Sequence, residues 1–205
     1  MTTVPDQEAP IRAAWEAQDL TRAFRLALAE YRNEIETFLT ARLRSPDAAI
    51  EVYAMFTEDL WRALPSFGWR CNIRSFAYTL ARNAACRYAR QPDRRAERNI
   101  RLSSVASQVV QASPTDTAPY RRTDVKTRIR ALRDSLSEED RTLLLLYIDR
   151  NLSWREIAIV MHEEGERAPE AALEREAARL RKRFERVKSS LRALALRDGL
   201  IVPRH

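Results

Sequence analysis

The chain has 205 residues, and its 36 lysines and arginines exceed its 29 aspartates and glutamates, so the formal net charge is +7. Two cysteines, without a basic-then-apolar leader, argue against a secreted, disulfide-stabilised protein and favour a cytoplasmic one. Two isolated histidines lack the neighbours that zinc sites or histidine-based catalysis require. We therefore expect no enzymatic activity, no metal, no cofactor and no small-molecule substrate. The longest apolar run, LLLLYI at 143–148, is far shorter than the roughly 20 residues that cross a bilayer, so no membrane partner is expected.

The N-terminal part predicts a small helical bundle. Only three glycines and long stretches with apolar residues three and four apart favour an all-α fold, and no alternating segment indicates a strand. A first helix begins near Pro10, and a second is capped by Asp19 and ends before Pro46. A third ends at Pro65, and a fourth begins near Ile73 after the loop PSFGWRCN at 65–72.

The third helix, around EVYAMFTEDLW at 51–61, is amphipathic. At about 100° per residue its apolar arc consists of Val52, Phe56, Leu60 and Leu64. The opposite face carries Glu51, Glu58 and Arg62, interrupted by Ala54 and Met55. A core-facing helix with a tolerant outer side explains this pattern, and so does a face shaped for a partner.

The periodicity fades in a Ser-, Thr- and Pro-rich segment, which predicts a flexible linker at 96–123. Two small helical domains follow from this, at 1–95 and 124–197, with a tail at 198–205. In the second domain Ser137 caps one helix, and Ser153 with Glu156 forms a capping box for the next. The turn HEEGERAP at 162–169 then leads into a last helix that runs from about Pro169 to about Leu196.

The last helix holds most of the excess positive charge. Residues 170–197 contain nine arginines and lysines and four glutamates. Its inward stripe is predicted as Leu180, Phe184, Val187 and Leu191. The residues predicted to face the phosphates and base edges of DNA are Arg175, Arg179, Arg181, Lys182, Arg183 and Arg186. A solvated basic face would look similar, but a capped short helix directly before it favours a helix-turn-helix.

Two groups of segments together resemble the extracytoplasmic-function (ECF) sigma factors, the two-domain class of bacterial promoter-recognition subunits. LWRALPSF at 60–67 and IRSFAYTLARNAA at 73–85 resemble their region 2. LSEEDRTLLLLYIDRNLSWREIAIVM at 136–161 and LRKRFERVKSSLRAL at 180–194 resemble their region 4. The resemblance implies binding to core RNA polymerase, melting of promoter DNA by region 2 and recognition of the minus-35 element by region 4. The turn at 162–169 is longer than is usual in the family.

The resemblance also implies a minus-10 site. Phe67 and the loop after Pro65 fall where the family holds a flipped base, and Asn83 falls where it reads a base. Stacking and charge neutralisation add Trp69, Arg70, Arg74 and Arg82 to this site. In the alternative interpretation, Phe67 and Trp69 close the end of the helical bundle.

The third helix matches the region 2 helix that docks on the coiled coil of the polymerase largest subunit. Glu51 matches one of the family's acids, but Ala54 and Met55 stand where a polar and an acidic residue are usual, which indicates a subgroup with a charge-depleted docking helix. Glu58 and Asp59 are the remaining candidates for docking acids.

Phosphorylation of Thr57 by a Ser/Thr protein kinase would add negative charge to the same face. In the alternative, Thr57 is a boundary residue and Glu58 with Asp59 suffices for docking. The competing function for the whole chain is a stand-alone helix-turn-helix regulator, in which the N-terminal domain dimerises or binds a ligand. A helical adaptor without a DNA role would leave the charge of the last helix unexplained.

Overall fold

The computed structural model describes residues 7–91 and 135–197, and over these ranges the chain is all-α, as predicted. The α-helices of the described residues are α1 (Ala9–Glu16), α2 (Leu20–Leu43), α3 (Pro46–Ala63), α4 (Ile73–Arg90), α5 (Glu138–Leu144), α6 (Trp154–Met161) and α7 (Glu170–Arg197). Short 3₁₀ turns lie at Leu64–Ser66 and Gly165–Arg167, and α5 continues into a π-helical stretch at Leu145–Asp149. The predicted linker at 96–123 and the tail at 198–205 lie outside the described residues.

Local capping signals fix the starts of several helices. The Asp19 carboxylate accepts a hydrogen bond from the backbone N–H of Arg22 at 2.9 Å, which confirms the predicted cap of α2. Ser153 and Glu156 form the predicted capping box at the start of α6, each side chain accepting from the other's backbone N–H. The hydroxyl of Ser137 caps α5 by accepting a hydrogen bond from the N–H of Asp140 at 3.1 Å.

The chain divides into two compact units whose ranges are discontinuous. One comprises residues 1–90 and 153–177, and the other comprises residues 91–152 and 178–205. These ranges do not coincide with the predicted domains at 1–95 and 124–197, because residues 153–177 pack with the N-terminal helices. The short α6 and the turn after it therefore belong, in this structure, to the unit that contains α1–α4.

The core of the first unit is built from the apolar faces of its helices. The predicted arc of α3 is confirmed, since Val52, Phe56, Leu60 and Leu64 are each at most 1% exposed. Phe38 of α2 and Tyr78 of α4 meet edge to face, with ring centroids 5.0 Å apart. This packing fixes α4, which carries several of the predicted site residues, against α2 and α3.

A residue far from α4 in the sequence holds the N-terminus of this helix. One oxygen of the Glu8 carboxylate accepts from the backbone N–H of Ile73 at 2.9 Å, and the other accepts from the N–H of Arg74 at 3.0 Å. The hydroxyl of Tyr31 donates to Glu8 at 2.9 Å as well. Glu8 thus satisfies two of the N–H groups that a helix start leaves open, and it ties α4 to α2.

In the second unit α5 packs against α7. Leu143, Leu146 and Leu180 are fully buried, and the rings of Tyr147 and Phe184 meet at 4.6 Å. Both cysteines are half-buried free thiols. Among the described helices, none combines the length and the apolar character needed to cross a bilayer.

Candidate nucleic-acid interface

Helix α7 has two opposed faces. Its buried residues are Leu173, Leu180, Phe184 and Val187, each at most 7% exposed. Its exposed cations include Arg175, Arg179, Lys182 and Arg186. At about 100° per residue these four lie within about 60° of one another and about 140° from the centre of the buried stripe. With a rise of about 1.5 Å per residue, they form a row about 16 Å long, which we call the cation stripe.

Arg183 does not belong to the cation stripe. Its angular position is only about 40° from the buried Val187, so its side chain turns back toward α5. Its Nε donates to Asp140 and its Nη1 donates to Glu139, both at 2.6 Å. Arg183 is predicted to face DNA, but in this structure its charge is engaged by the acidic first turn of α5.

The pKa values of this pair reflect the same contact. The hydrogen bond to Asp140 is the main cause that raises the pKa of Arg183. Burial alone would raise the pKa of the Asp140 carboxyl, but hydrogen bonds from Arg183 and Ser137 outweigh burial and lower it. Arg181 lies on the opposite border of the buried face, about 60° from Phe184, so it also stands outside the cation stripe.

The loop at 67–72 carries three of the predicted minus-10 residues. Phe67 is only 1% exposed, and its ring stacks on Phe76 with centroids 4.4 Å apart. Trp69 lies against Phe67 and meets Trp15 edge to face at 6.1 Å. In this conformation Phe67 closes the end of the bundle, and its predicted stacking on a base would require the loop to move. Arg70 is exposed beside it.

Trp69 is the strained member of this loop. Its φ is +52°, in the left-handed region that bulky side chains avoid. Its indole N–H is buried and has no hydrogen-bond partner among the described residues. The strained backbone and the unsatisfied indole N–H both raise the free energy of this loop conformation. A loop that is held in such a conformation is a candidate for a conformational change.

The remaining predicted minus-10 residues lie on α4. The guanidinium of Arg74 donates to Glu34 through Nε at 2.9 Å, and through Nη2 in a shorter contact. Arg74 is thus engaged by a carboxylate within the bundle. Arg82 and Asn83 are half-buried, and Asn83 lines a cavity of about 450 Å³.

The other wall of this cavity is the turn between α6 and α7. The residues that form this wall are Glu163, Glu164, Gly165, Glu166 and Arg167, which we call the acidic turn. The sequence showed the turn only as unusually long. A glycine flanked by three glutamates, in a chain with three glycines, was the signal that could have indicated a closely packed turn.

The outer face of α3 is the predicted polymerase-docking surface. Its exposed residues include Ile50, Glu51, Ala54, Glu58 and Trp61, and Met55 is half-buried.

Glu58 pairs with Arg62 one turn along at 3.2 Å. Asp59 pairs with Arg87 of α4. The hydroxyl of Thr57, also half-buried, donates to the carbonyl of Tyr53 at 2.9 Å. Glu58 and Asp59 are therefore partly neutralised by arginines of the same chain.

No protein-family model matches the chain, and no curated protein matches it.

Proposed function

We propose that the chain is a bacterial alternative sigma factor of the extracytoplasmic-function type, which binds core RNA polymerase in the cytoplasm and directs promoter-specific initiation. The observation that carries the proposal is the cation stripe of α7, which stands opposite the buried face of a helix that follows a capped short helix and a turn. Such a helix can lie in the major groove with its cations toward the phosphates. The polymerase part of the proposal rests on the resemblance of the region 2 and region 4 segments.

Region 4 binding is assigned to the cation stripe. Arg175, Arg179, Lys182 and Arg186 would contact phosphates and base edges of the minus-35 duplex. Arg183 has a different role here, since it joins α7 to α5 and so orients the stripe. Affinity should fall steeply with salt, because each neutralised phosphate releases counterions.

Region 2 melting is assigned to the loop at 67–72 and to Asn83. A base that leaves the stack needs an aromatic surface and a polar partner. The strained backbone of Trp69 supports a loop that rearranges when a strand binds, which would free Phe67 from its stack on Phe76. Arg70 is the exposed cation nearest in sequence and would neutralise the strand's backbone.

The docking face of α3 is assigned to the polymerase largest subunit, with phosphorylation of Thr57 as its switch. Glu58 and Asp59 already carry arginine partners, and Ala54 and Met55 add no charge. A phosphate on Thr57 would add about −1.5 to −2 charge to this face and three strong acceptor oxygens. Phosphorylation would first require the Thr57 hydroxyl to leave the Tyr53 carbonyl. A Ser/Thr protein kinase is the implied partner.

Run-off transcription with core RNA polymerase tests the proposal. The template is a fragment library of the source genome, and the added protein is wild type, kinase-treated wild type or Thr57→Glu. We expect new transcripts that share an upstream sequence, strongest with the phosphorylated protein or Thr57→Glu. The doubly substituted Lys182→Ala/Arg186→Ala protein is the control and should lose them.

A stand-alone regulator gives a different pattern. It would shift duplex fragments without polymerase and produce no new transcripts with it. If neither the phosphorylated protein nor Thr57→Glu supports any transcript, the sigma-factor proposal is refuted.

A further inference from the structure

The acidic turn is docked on α4 through its glycine. Gly165 is buried and has φ +57°, a conformation that favours glycine. A Cβ placed on Gly165 would lie 3.0 Å from Cγ2 of Thr79, which is closer than side chains normally pack. Glycine is therefore the residue that can both adopt this backbone conformation and allow the close approach to α4.

Further contacts hold the same segment on α4 and on the loop that precedes it. Glu156 of α6 accepts from the side-chain amide of Asn72 at 2.6 Å, and the Asn72 carbonyl oxygen in turn caps α4. Glu166 accepts from the backbone N–H of Gly68 and lies 3.9 Å from the Cys71 thiol. These contacts reach both ends of the loop at 67–72, where a promoter strand is proposed to bind.

The docked turn changes the charge of this surface. Glu163 and Glu164 are exposed on the wall of the cavity that Asn83 lines from the other side. A nucleic-acid strand that approached Asn83 would meet a wall with three carboxylates and a single guanidinium, that of Arg167, and it would also meet the turn itself. Repulsion between like charges and the occupied volume both oppose its binding.

We propose that the acidic turn is a built-in competitor of the promoter strand, which closes the surface around Asn83 and the loop at 67–72 while it is docked. The inference rests on the proposed function, because that function assigns a strand to this surface. A strand and the docked turn exclude each other, so weakening the docking should raise the affinity for single-stranded DNA by the same factor, up to the affinity of the open surface.

The docking contact can be tested with Gly165→Ala. Alanine at this position meets both the strained φ and the Thr79 methyl group, which should shift the docking equilibrium about fivefold or more toward release. Thr79→Ser provides the matched partner, since it keeps the hydroxyl that donates to the Ser75 carbonyl at 2.9 Å but removes Cγ2. The double variant Gly165→Ala/Thr79→Ser should therefore regain part of the docking that Gly165→Ala loses.

The two native thiols report docking without nucleic acid. Burial, followed by the charge of Glu166, raises the pKa of Cys71 to about 12, so its thiol reacts slowly with alkylating reagents. Release of the turn removes Glu166 and should speed alkylation of Cys71 about fivefold or more. Cys86, which accepts from Arg42 at 3.4 Å, is the internal control and should keep its rate.

The experiment measures alkylation of both thiols by mass spectrometry, and it measures binding of a labelled, A/T-rich single-stranded DNA pool by fluorescence anisotropy. For Gly165→Ala we expect faster Cys71 alkylation together with about fivefold tighter DNA binding, both partly reversed in the double variant. Faster alkylation with unchanged DNA affinity overturns the inference. So does unchanged Cys71 alkylation in both Gly165→Ala and Gly165→Leu, since the turn would then not be docked in solution. Failure of the sigma-factor proposal would appear instead as absent run-off transcripts.

Discussion

Two neighbouring cations on α7, Lys182 and Arg183, should respond in opposite ways to the same substitution. Lys182 is exposed in the cation stripe, whereas Arg183 and its partner Asp140 have side chains that are 22% and 21% exposed. Arg183→Ala removes a charge-assisted hydrogen bond in a poorly solvated place and should lower the free energy of unfolding by about 1.5 to 3 kcal/mol. Lys182→Ala should change that free energy by no more than about 0.5 kcal/mol.

The effects on DNA binding should be the reverse of the effects on stability, with Lys182→Ala changing the salt dependence of the affinity and Arg183→Ala leaving it unchanged. If Lys182 contacts one phosphate, Lys182→Ala flattens the slope of log affinity against log salt by about 0.9. Between about 50 and 200 mM salt the affinity should then fall roughly 3.5-fold less than for wild type. Arg183→Ala should leave this slope unchanged under conditions where the protein remains folded.

Urea unfolding and duplex binding at four salt concentrations check both proteins side by side. Because both substitutions remove one positive charge from adjacent positions, a general effect of net charge cannot separate them. A flatter slope for Arg183→Ala with wild-type stability would refute the assignment of Arg183 to α5.

Three further comparisons between variants test the remaining assignments. Phe67→Ala should cost about 3 to 5 kcal/mol of stability in urea unfolding, because the ring is fully buried, whereas Asn83→Ala should cost far less; equal small losses would contradict the packing of Phe67. Thr57→Glu should retain more core polymerase in a pull-down than Thr57→Ala, and equal retention would argue against the switch. The pKa of Asp140 in the folded protein is lowered from its ordinary value of 3.8. The ionised carboxylate therefore stabilises the fold fully above pH 3.8, and this stabilisation is lost as the pH falls through the lowered pKa. The stability difference between wild type and Asp140→Asn should therefore shrink in acid, and a difference that is constant with pH would contradict the ion pair.

Much of the fold could be predicted from the sequence because the signals are local. The spacing of Val52, Phe56 and Leu60 determines which face of α3 is buried, whatever that face packs against. The capping box of α6 involves two residues three positions apart, so it too can be recognised without tertiary structure. The all-α class follows from many such local patterns together.

Contacts between distant residues could not be predicted in this way. Glu8 caps the start of α4 across 65 positions, and no local pattern marks it as a cap. Arg74 and Arg183 look in the sequence like other exposed arginines, but Glu34 and Asp140 engage them. The pattern also left two interpretations of Phe67 open, and its burial depends on Phe76 of another element.

Ion pairs within the chain also limit the negative charge that the outer face of α3 can offer to a partner. An acidic side chain strengthens docking to a basic partner only to the extent that no cation of the same chain already compensates its charge. Asp59 is half-buried, and its pair with Arg87 links α3 to α4, so its charge serves the packing of the unit. Glu58 is exposed but has Arg62 on the next turn, and an exposed pair of this kind costs little to exchange for a new partner. Glu58 could therefore be recruited by a basic partner, while Asp59 could not without loosening α4. Under the proposed function, phosphorylation of Thr57 would change the charge of this face by more than the release of Glu58 from Arg62.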